Sequence, residues 1–564
     1  MLKFLYIGQN FSAQYIKIGG KSLNKKIINR KFKYIIIGLI LLILILFLNQ
    51  NNIKYYVKKH LSANGYTELN LTQEQKTEDF EYMYNVFSTS MILERYKNSP
   101  YNIDIENKKN TYADIINNTK SDFEFYCALS AIVEDIPSYH TDVVFPKYSS
   151  YQSLGCYNLD SVLAKKDVKD LSLYWNNCIN DQVSSFDKAI ATYRYVEGNY
   201  IFDEYNSDNT DTNEICNSKI ISINSIPVNT YIQDKVSMFS LKYDYKRNVV
   251  YRTGLAFCNP DSNNPANVSV KLQLDTGEIV SKEWYTDINV EAIAQIKYMY
   301  NGKSNNYNPI YAYDDNENNV NYIAVYNFSN SYGTDLLDYI SNFDKKNIIV
   351  DLRDNYGGSP FYAQKYLYPN LYDSDVNFSY EWLIKKSKYN KPLYSSFREL
   401  ILNNYSTCTD TLTDDNTKLL RGNEKINYKG NAENNKNVYY LINDGTASAA
   451  DGYISMIKNN KLGVIVGTNT SGEGLIDSYC VYSLPNSGIV FVYEPSTSYN
   501  PDGTDNSLYG TAPNIYVEQT EDSFIKQRLL LEDSDINIYE YNNMLKWDNQ
   551  LQFTLDLIKQ ENNQ

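Results

Sequence analysis

From residue 321 onward, short apolar runs alternate with helix-like stretches, and this alternation constrains the fold more than any other feature of the chain. The runs are YIAVYNF (322–328), NIIVDL (347–352), VYYLIN (438–443) and GVIVG (463–467). Between them lie candidate helices at 333–343, 360–370 and 449–459. Near-continuous apolar strands need cover on both faces, which crossover helices supply, so the pattern predicts a parallel sheet built of βαβ units. A polar, Asn-rich stretch at 375–435 interrupts it and reads as an insertion. In such sheets, sites form at the carboxyl ends of strands.

Upstream the patterning differs. Residues 72–135 carry helical spacing, as in Phe80, Tyr84, Phe87 and then Phe123, Cys127, Leu129, Ile132, Val133. Residues 160–200 also read as helical. Between 215 and 285 the signal changes to short strands. KIISINSIPV (219–228) is a strand with a turn at Asn224-Ser225, and VSVKLQLDTGEIVSKEW (268–284) reads as a hairpin turning at Thr276-Gly277. These imply a small β-rich module. Residues 301–319, rich in Asn, Asp and Tyr, read as a linker or loop.

The N-terminus has a separate character. Tyr34–Leu48 is YIIIGLILLILILFL, without a charge, and residues 1–33 hold eight Lys/Arg and no acid. Fifteen residues span roughly 22 Å of the ~30 Å hydrocarbon core. Lys31 and Lys33 can extend the span by snorkelling. No small-x-small cleavage site follows, and the basic side stays cytoplasmic by the positive-inside rule. The expectation is a single-pass signal anchor in the cell membrane with the remainder extracellular. The whole chain carries −14, so the part after residue 33 carries −22. That acidity excludes most nucleic-acid binders. Seven widely spaced cysteines without CxxC, and only two histidines (His60 and His140), support neither a zinc site nor a disulfide framework. No metal or organic cofactor is expected.

Three stretches could carry chemistry. Asp351-Leu-Arg-Asp-Asn-Tyr-Gly-Gly358 follows a strand, and Gly357 and Gly358 allow close backbone approach to a developing oxyanion. Asn443-Asp-Gly-Thr-Ala-Ser-Ala-Ala-Asp451 follows another strand and opens a helix near Ser448, among unpaired N–H donors. Pro137-Ser-Tyr-His140-Thr141 supplies the one histidine of the folded body, the natural base for a serine nucleophile. Taken singly, each reads better as a plain turn, an N-cap serine or a packing histidine.

Taken together and in order, these stretches resemble the C-terminal-processing (tail-specific) serine peptidase family, which includes the tricorn-core type. IIVDLRDNYGG looks like its DLRxNxGG element and NDGTASAAD like its nucleophile segment, while GVIVGTNTSGEG (463–474) looks like the strand and Gly-x-Gly loop that follow. YNPDGTDNSLYGTAPNIYVE (499–518) looks like the closing element and KIISINSIPV like part of a PDZ-like module. The resemblance implies an α/β fold: a ClpP/crotonase-like catalytic domain at 321–530, with an N-terminal helical region at 72–200 carrying His140 and a PDZ-like β-rich module at 201–290. A basic segment (1–33), one transmembrane helix (34–48) and a stalk (51–71) precede them, and a helical tail (531–564) follows. It also implies Ser448 as nucleophile, with Ala449 and Gly357 or Gly358 forming the oxyanion hole.

Two departures from the family pattern bear on the base. The Ser–Lys branch carries lysine where this chain has Glu473, so that dyad is absent. The tricorn-type branch uses a histidine segment that His140-Thr141 matches, with Tyr139 at the supporting hydroxyl position. Its glutamate position, three residues before Gly510, is Ser507 here. Asp505 and Glu473 are the nearby carboxylates that could orient His140. Two functions follow as expectations. One is a membrane-anchored serine endopeptidase of the Ser-His type acting on protein or peptide substrates. The alternative is a catalytically inactive ectodomain that binds peptides or ligands.

Overall fold

The computed structural model describes residues 69–146, 162, 166–205, 215–301, 308–394, 406–408, 419–432, 436–475, 479–531 and 536–563. The expected membrane segment at 34–48, the expected stalk as far as residue 68, and His60 lie outside the described residues. Among the described residues no helix is long and apolar enough to cross a membrane.

The N-terminal region begins with helix Gln73–Ser90, opened by a Thr72/Gln75 capping box that satisfies two orphan N–H groups. Its Phe80, Met83, Val86 and Phe87 are buried. Helix Asp122–Glu134, capped by Ser121, is buried along nearly its whole length from Phe123 to Val133. Pro137 cannot extend it. The chain turns and pairs Asp142–Val143 antiparallel with the strand Val490–Tyr493. That pairing fixes His140 beside the residue that follows this strand, Glu494.

Helix Lys166–Ser185 follows, but the helical expectation for 160–200 fails beyond it. Ile190–Val196 and Asn199–Tyr205 form a hairpin turning at Glu197-Gly198, both at positive φ. The β-branched and aromatic alternation of IATYRYV outweighs the helical spacing. These strands join Lys219–Ile223, Gly254–Cys258, Val268–Gln273 and Ile279–Trp284 in one antiparallel sheet. Tyr193, Phe202, Ile223, Phe257, Leu272 and Trp284 fill its core.

The C-terminal sheet has the order Ile310–Asp315, Val320–Val325, Asn347–Asp351, Asn437–Ile442, Val464–Gly467, Ile515–Tyr516. All pairings are parallel except the first, which is antiparallel. Residues 310–315, expected as loop, are thus an edge strand. A tight turn suffices to bring an antiparallel neighbour into place, and Asp315 accepts from both the backbone and side chain of Asn318 to close it. Helices Gly333–Ile340 and Ala449–Asn460 are crossovers. The expected helix at 360–370 is broken by a π-type turn at Ala363–Leu367. Within 375–435, Val376–Lys385 and Leu419–Tyr428 pair along their full length and continue onto Ser496–Tyr499. The parallel register sets Asp351 opposite Leu441 and Ile442 opposite Gly467, so three strand ends open onto one rim.

Candidate active site

Strand Asn437–Ile442 leads into a tight turn in which Asn443 Oδ1 accepts from Gly445 N–H at 3.0 Å. Ser448 follows at φ 53°, ψ −131° and is the residue before helix Ala449–Asn460. Such a conformation costs a non-glycine residue about 1–3 kcal/mol and persists only where the surroundings impose it. Here they do: Ser448 N–H donates to Gly472 O (3.0 Å), its own carbonyl accepts from Gly452 N–H (3.0 Å), and Ala447 N–H donates to Asn355 O (3.0 Å). The Ser448 side chain makes no capping bond to the helix, so the ordinary explanation for a serine at this position does not apply.

The glycine pair approaches from the next strand. Gly357 and Gly358 have φ of 89° and 133°. A Cβ on Gly357 would stand 2.6 Å from Ser448 Cβ and 2.8 Å from the Ala449 nitrogen, so only glycine fits against the serine. The Gly357 N–H is already committed to Asn355 Oδ1 at 2.8 Å. Neither the Gly358 nor the Ala449 N–H has an acceptor among the described residues. Of the donors expected for an oxyanion, Ala449 and Gly358 are therefore the free ones.

His140 is buried, its ring 4.0 Å from that of Tyr479 and edge-on to Tyr139 at 5.3 Å. Glu473, fully buried and at φ 58°, cups this segment. Its Oε1 accepts from Tyr139 N–H and its Oε2 from His140 N–H, both at 2.7 Å. Oε2 also lies 2.5 Å from His140 Nδ1, although the ring nitrogen is not aligned with it for a hydrogen bond. Burial lowers the His140 pKa to about 4, partly countered by Glu494. The imidazole is neutral at pH 7 and free to accept a proton. Burial raises the Glu473 carboxyl, opposed by contacts with Glu494, Arg95, Tyr139 and Ser138.

One loop ties these parts together. Gly472 O holds Ser448, and the next residue, Glu473, holds His140. Asp451, in the first turn of the serine's helix, accepts from Thr470 Oγ1 (2.5 Å), Gly474 N–H (3.2 Å) and Asn506 Nδ2 (2.8 Å), which pins both ends of that loop.

Of the other residues singled out in the sequence, Tyr139 contributes its backbone to Glu473, and its ring stacks on that of Tyr356 at 6.5 Å. Asp505 accepts from Thr497 Oγ1 at 2.9 Å and caps the short helix Asn506–Tyr509. Ser507 donates to Glu494 Oε1 at 3.1 Å. Glu494 is a residue the sequence reading missed. It is buried, accepts from Ser138 Oγ at 3.2 Å, and faces Arg95 Nη2 at 3.5 Å. The only sequence signal for it was a glutamate closing the apolar run IVFVY. Arg95, buried in the four-residue helix Glu94–Lys97, gave none. Among the described residues no group of His, Cys, Asp and Glu is arranged to hold a metal ion.

Residues 319–517 match the family model described as peptidase family S41. Comparison with curated proteins finds no match. Among solved structures, mature CPAF complexed with lactacystin is 14% identical, with 82% of this chain and 97% of that one covered and a TM-score of 0.47. The photosystem II D1 C-terminal processing protease is 13% identical over 79% of this chain and 94% of that one, with a TM-score of 0.33. The tricorn protease is 12% identical over 86% of this chain and 37% of that one, with a TM-score of 0.33. The stretch that matches this family model, 319 to 517, carries the glycine pair, Ser448 and Glu473.

Proposed function

We propose that the chain is a serine endopeptidase in which Ser448 is the nucleophile, His140 the general base and Glu473 the group that orients the base. The observation that carries this reading is the single loop whose consecutive residues hold the strained serine and the buried, neutral imidazole. A serine hydroxyl is inert at neutral pH without a base, and a histidine of low pKa is unprotonated there. Ser448 Oγ attacks the peptide carbonyl and its proton passes to His140. The Ala449 and Gly358 N–H groups receive the oxyanion at the positive end of the helix. His140 returns the proton to the departing amine, and water repeats the sequence on the acyl-enzyme. Glu473 takes the orienting role because it touches both the backbone and the ring of His140, whereas Asp505 is engaged elsewhere.

The β-rich module is read as PDZ-like, adding an extended substrate segment to a strand edge. Its hairpin Leu241–Asp244/Val249–Arg252 reaches the catalytic loop, where Lys242 Nζ donates to Ser471 Oγ at 2.5 Å. Arg247 makes two bonds to Glu518. Peptide captured on the module would thus be delivered beside Ser448. The chain is further proposed to be anchored by the apolar run at 34–48, with the peptidase outside the cell. Carbonate extraction that leaves the protein in the membrane, and its removal from intact cells by added protease, are the expected results.

The test of the peptidase reading is Ser448→Ala in the full-length protein, assayed on a library of fluorogenic peptides. Cleavage should vanish while the thermal unfolding curve is kept. Undiminished cleavage by that variant would eliminate the reading. If the wild type cleaves nothing and is not labelled by a fluorophosphonate, the inactive peptide-binding ectodomain takes its place.

A further inference from the structure

Behind His140 lies a group of buried acids with too little positive charge among them. Glu473 and Glu494 are fully buried and in side-chain contact with each other. Asp505 is the third carboxyl, 4.0 Å from Arg95 Nη1. The groups that face Glu494 come from every element around it: Arg95 and Tyr96 from helix Glu94–Lys97, Ser138 and His140 from the histidine segment, Glu473 from the catalytic loop and Ser507 from helix Asn506–Tyr509. Arg95 is the only cation of the group, since His140 is neutral, and its Nη2 is shared between Tyr96 Oη (2.8 Å) and Glu494 (3.5 Å). Two touching carboxylates in an apolar interior cannot both ionise against one guanidinium; like charges in contact hold a proton between them.

We propose that Glu494 is a positioning residue for the base: it donates a shared proton to Glu473, with Arg95 as counter-ion, and so keeps Glu473 an anionic acceptor beneath His140. This inference rests on the peptidase reading above. Glu473 accepts two backbone N–H bonds, from Tyr139 and His140 at 2.7 Å each, which favour its ionised form, so the proton is assigned to Glu494. Burial and Glu473 together hold the Glu494 carboxyl well above the usual carboxylate range. On this proposal the proton is retained at neutral pH and lost on the alkaline side. Once it is gone, two adjacent carboxylates repel, and Glu473 leaves the position that holds the Tyr139 and His140 amides.

The arrangement predicts a distinctive pH dependence. Glutamine at 494 keeps a donor toward Glu473 but does not titrate. Leucine keeps the bulk and loses the donor. The experiment follows the second-order rate of fluorophosphonate labelling at Ser448 against pH, using full-length protein in detergent, with folding checked by thermal melts. Wild type should label at its maximum near neutral pH and lose at least tenfold on the alkaline side. Glu494→Gln should stay within about threefold of that maximum and lose the alkaline fall. Glu494→Leu should be at least tenfold slower at every pH. An alkaline fall that is identical in wild type and Glu494→Gln overturns the proposal, as does a wild type with no such fall. If Glu494→Leu does not fold, the glutamine comparison alone decides. Wild-type protein that is never labelled at Ser448 defeats the peptidase reading and this inference with it. Normal labelling of Ser448 with an unaltered limb in Glu494→Gln defeats only the inference.

Discussion

Two buried charge clusters, one around Arg353 and one around Arg95, are built on opposite principles. Beside strand Asn347–Asp351, Arg353 spends its whole guanidinium on acceptors: Nε on Asp351 (2.9 Å), Nη1 on Asp548 and Gln550 (2.9 Å each), and Nη2 on Asp351 (2.6 Å) and Asp548 (2.5 Å). Behind His140, Arg95 faces Glu494 and Asp505 while its Nε and Nη1 lack hydrogen-bond acceptors. The first cluster is satisfied and ties helix Asn549–Asn562 to the strand that leads to the glycine pair. The second holds more acid than base and must keep a proton. A saturated buried ion cluster is a fastener, whereas an undersaturated one beside a histidine is where a protein can manage protons.

Substitutions that separate rate from stability would break or sharpen this contrast. Glu473→Gln should have the largest effect. Loss of an orienting carboxylate lowers kcat by about 10²–10⁴, measured by peptide cleavage, with KM changed little and the melting temperature nearly kept. A variant as fast as wild type would mean that the acidic cluster is only structural. Arg353→Met should do the reverse. It strands Asp351 and Asp548 without their cation and should cost about 3–5 kcal/mol of stability, read by urea unfolding, while the folded fraction cleaves at the normal rate. Gly357→Ala comes next. The added methyl meets Ser448 Cβ at 2.6 Å with φ at 89°, so cleavage should fall by about 10² or more for a stability loss of about 1–3 kcal/mol.

The smallest expected effect is a displacement of the acid limb of the pH profile. The folded His140 pKa, about 4, lies below the ordinary value of 6.5. Between those values the unfolded chain binds the extra proton. Stability from this group is therefore complete above 6.5 and is lost as pH falls toward 4. Activity should follow the same window, with its acid limb centred well below 6.5. A limb at 6.5 in the pH dependence of kcat/KM would mean that the imidazole meets water and lies outside the buried cluster.

The sequence disclosed the parts of the site whose chemistry is local. Ser448 and Gly357-Gly358 sit in short motifs directly after apolar strands, where backbone geometry follows from the neighbouring residues. His140 stood out by scarcity. The parallel sheet was legible because buried strands leave uninterrupted apolar runs. The carboxylate beside His140 was not, because Glu473 and Asp505 both offered one, and only the turn at Gly472 and Glu473, both at positive φ, brings Glu473 against His140. Glu494 and Arg95 meet across 399 residues, through elements that show no pattern linking them. At 190–200 the chain carried weak helical spacing and strong β-forming residues. The pairing with Gly254–Cys258 decided between them, and that contact is invisible to a local reading.

The central claim is that His140 activates Ser448, and the most direct measurement is fluorophosphonate labelling mapped by mass spectrometry in wild type and His140→Ala. The account predicts a single adduct on Ser448 that forms readily in wild type and slows by at least about a thousandfold in His140→Ala. Labelling of Ser448 at equal rates in both proteins, or an adduct on another residue, would contradict it.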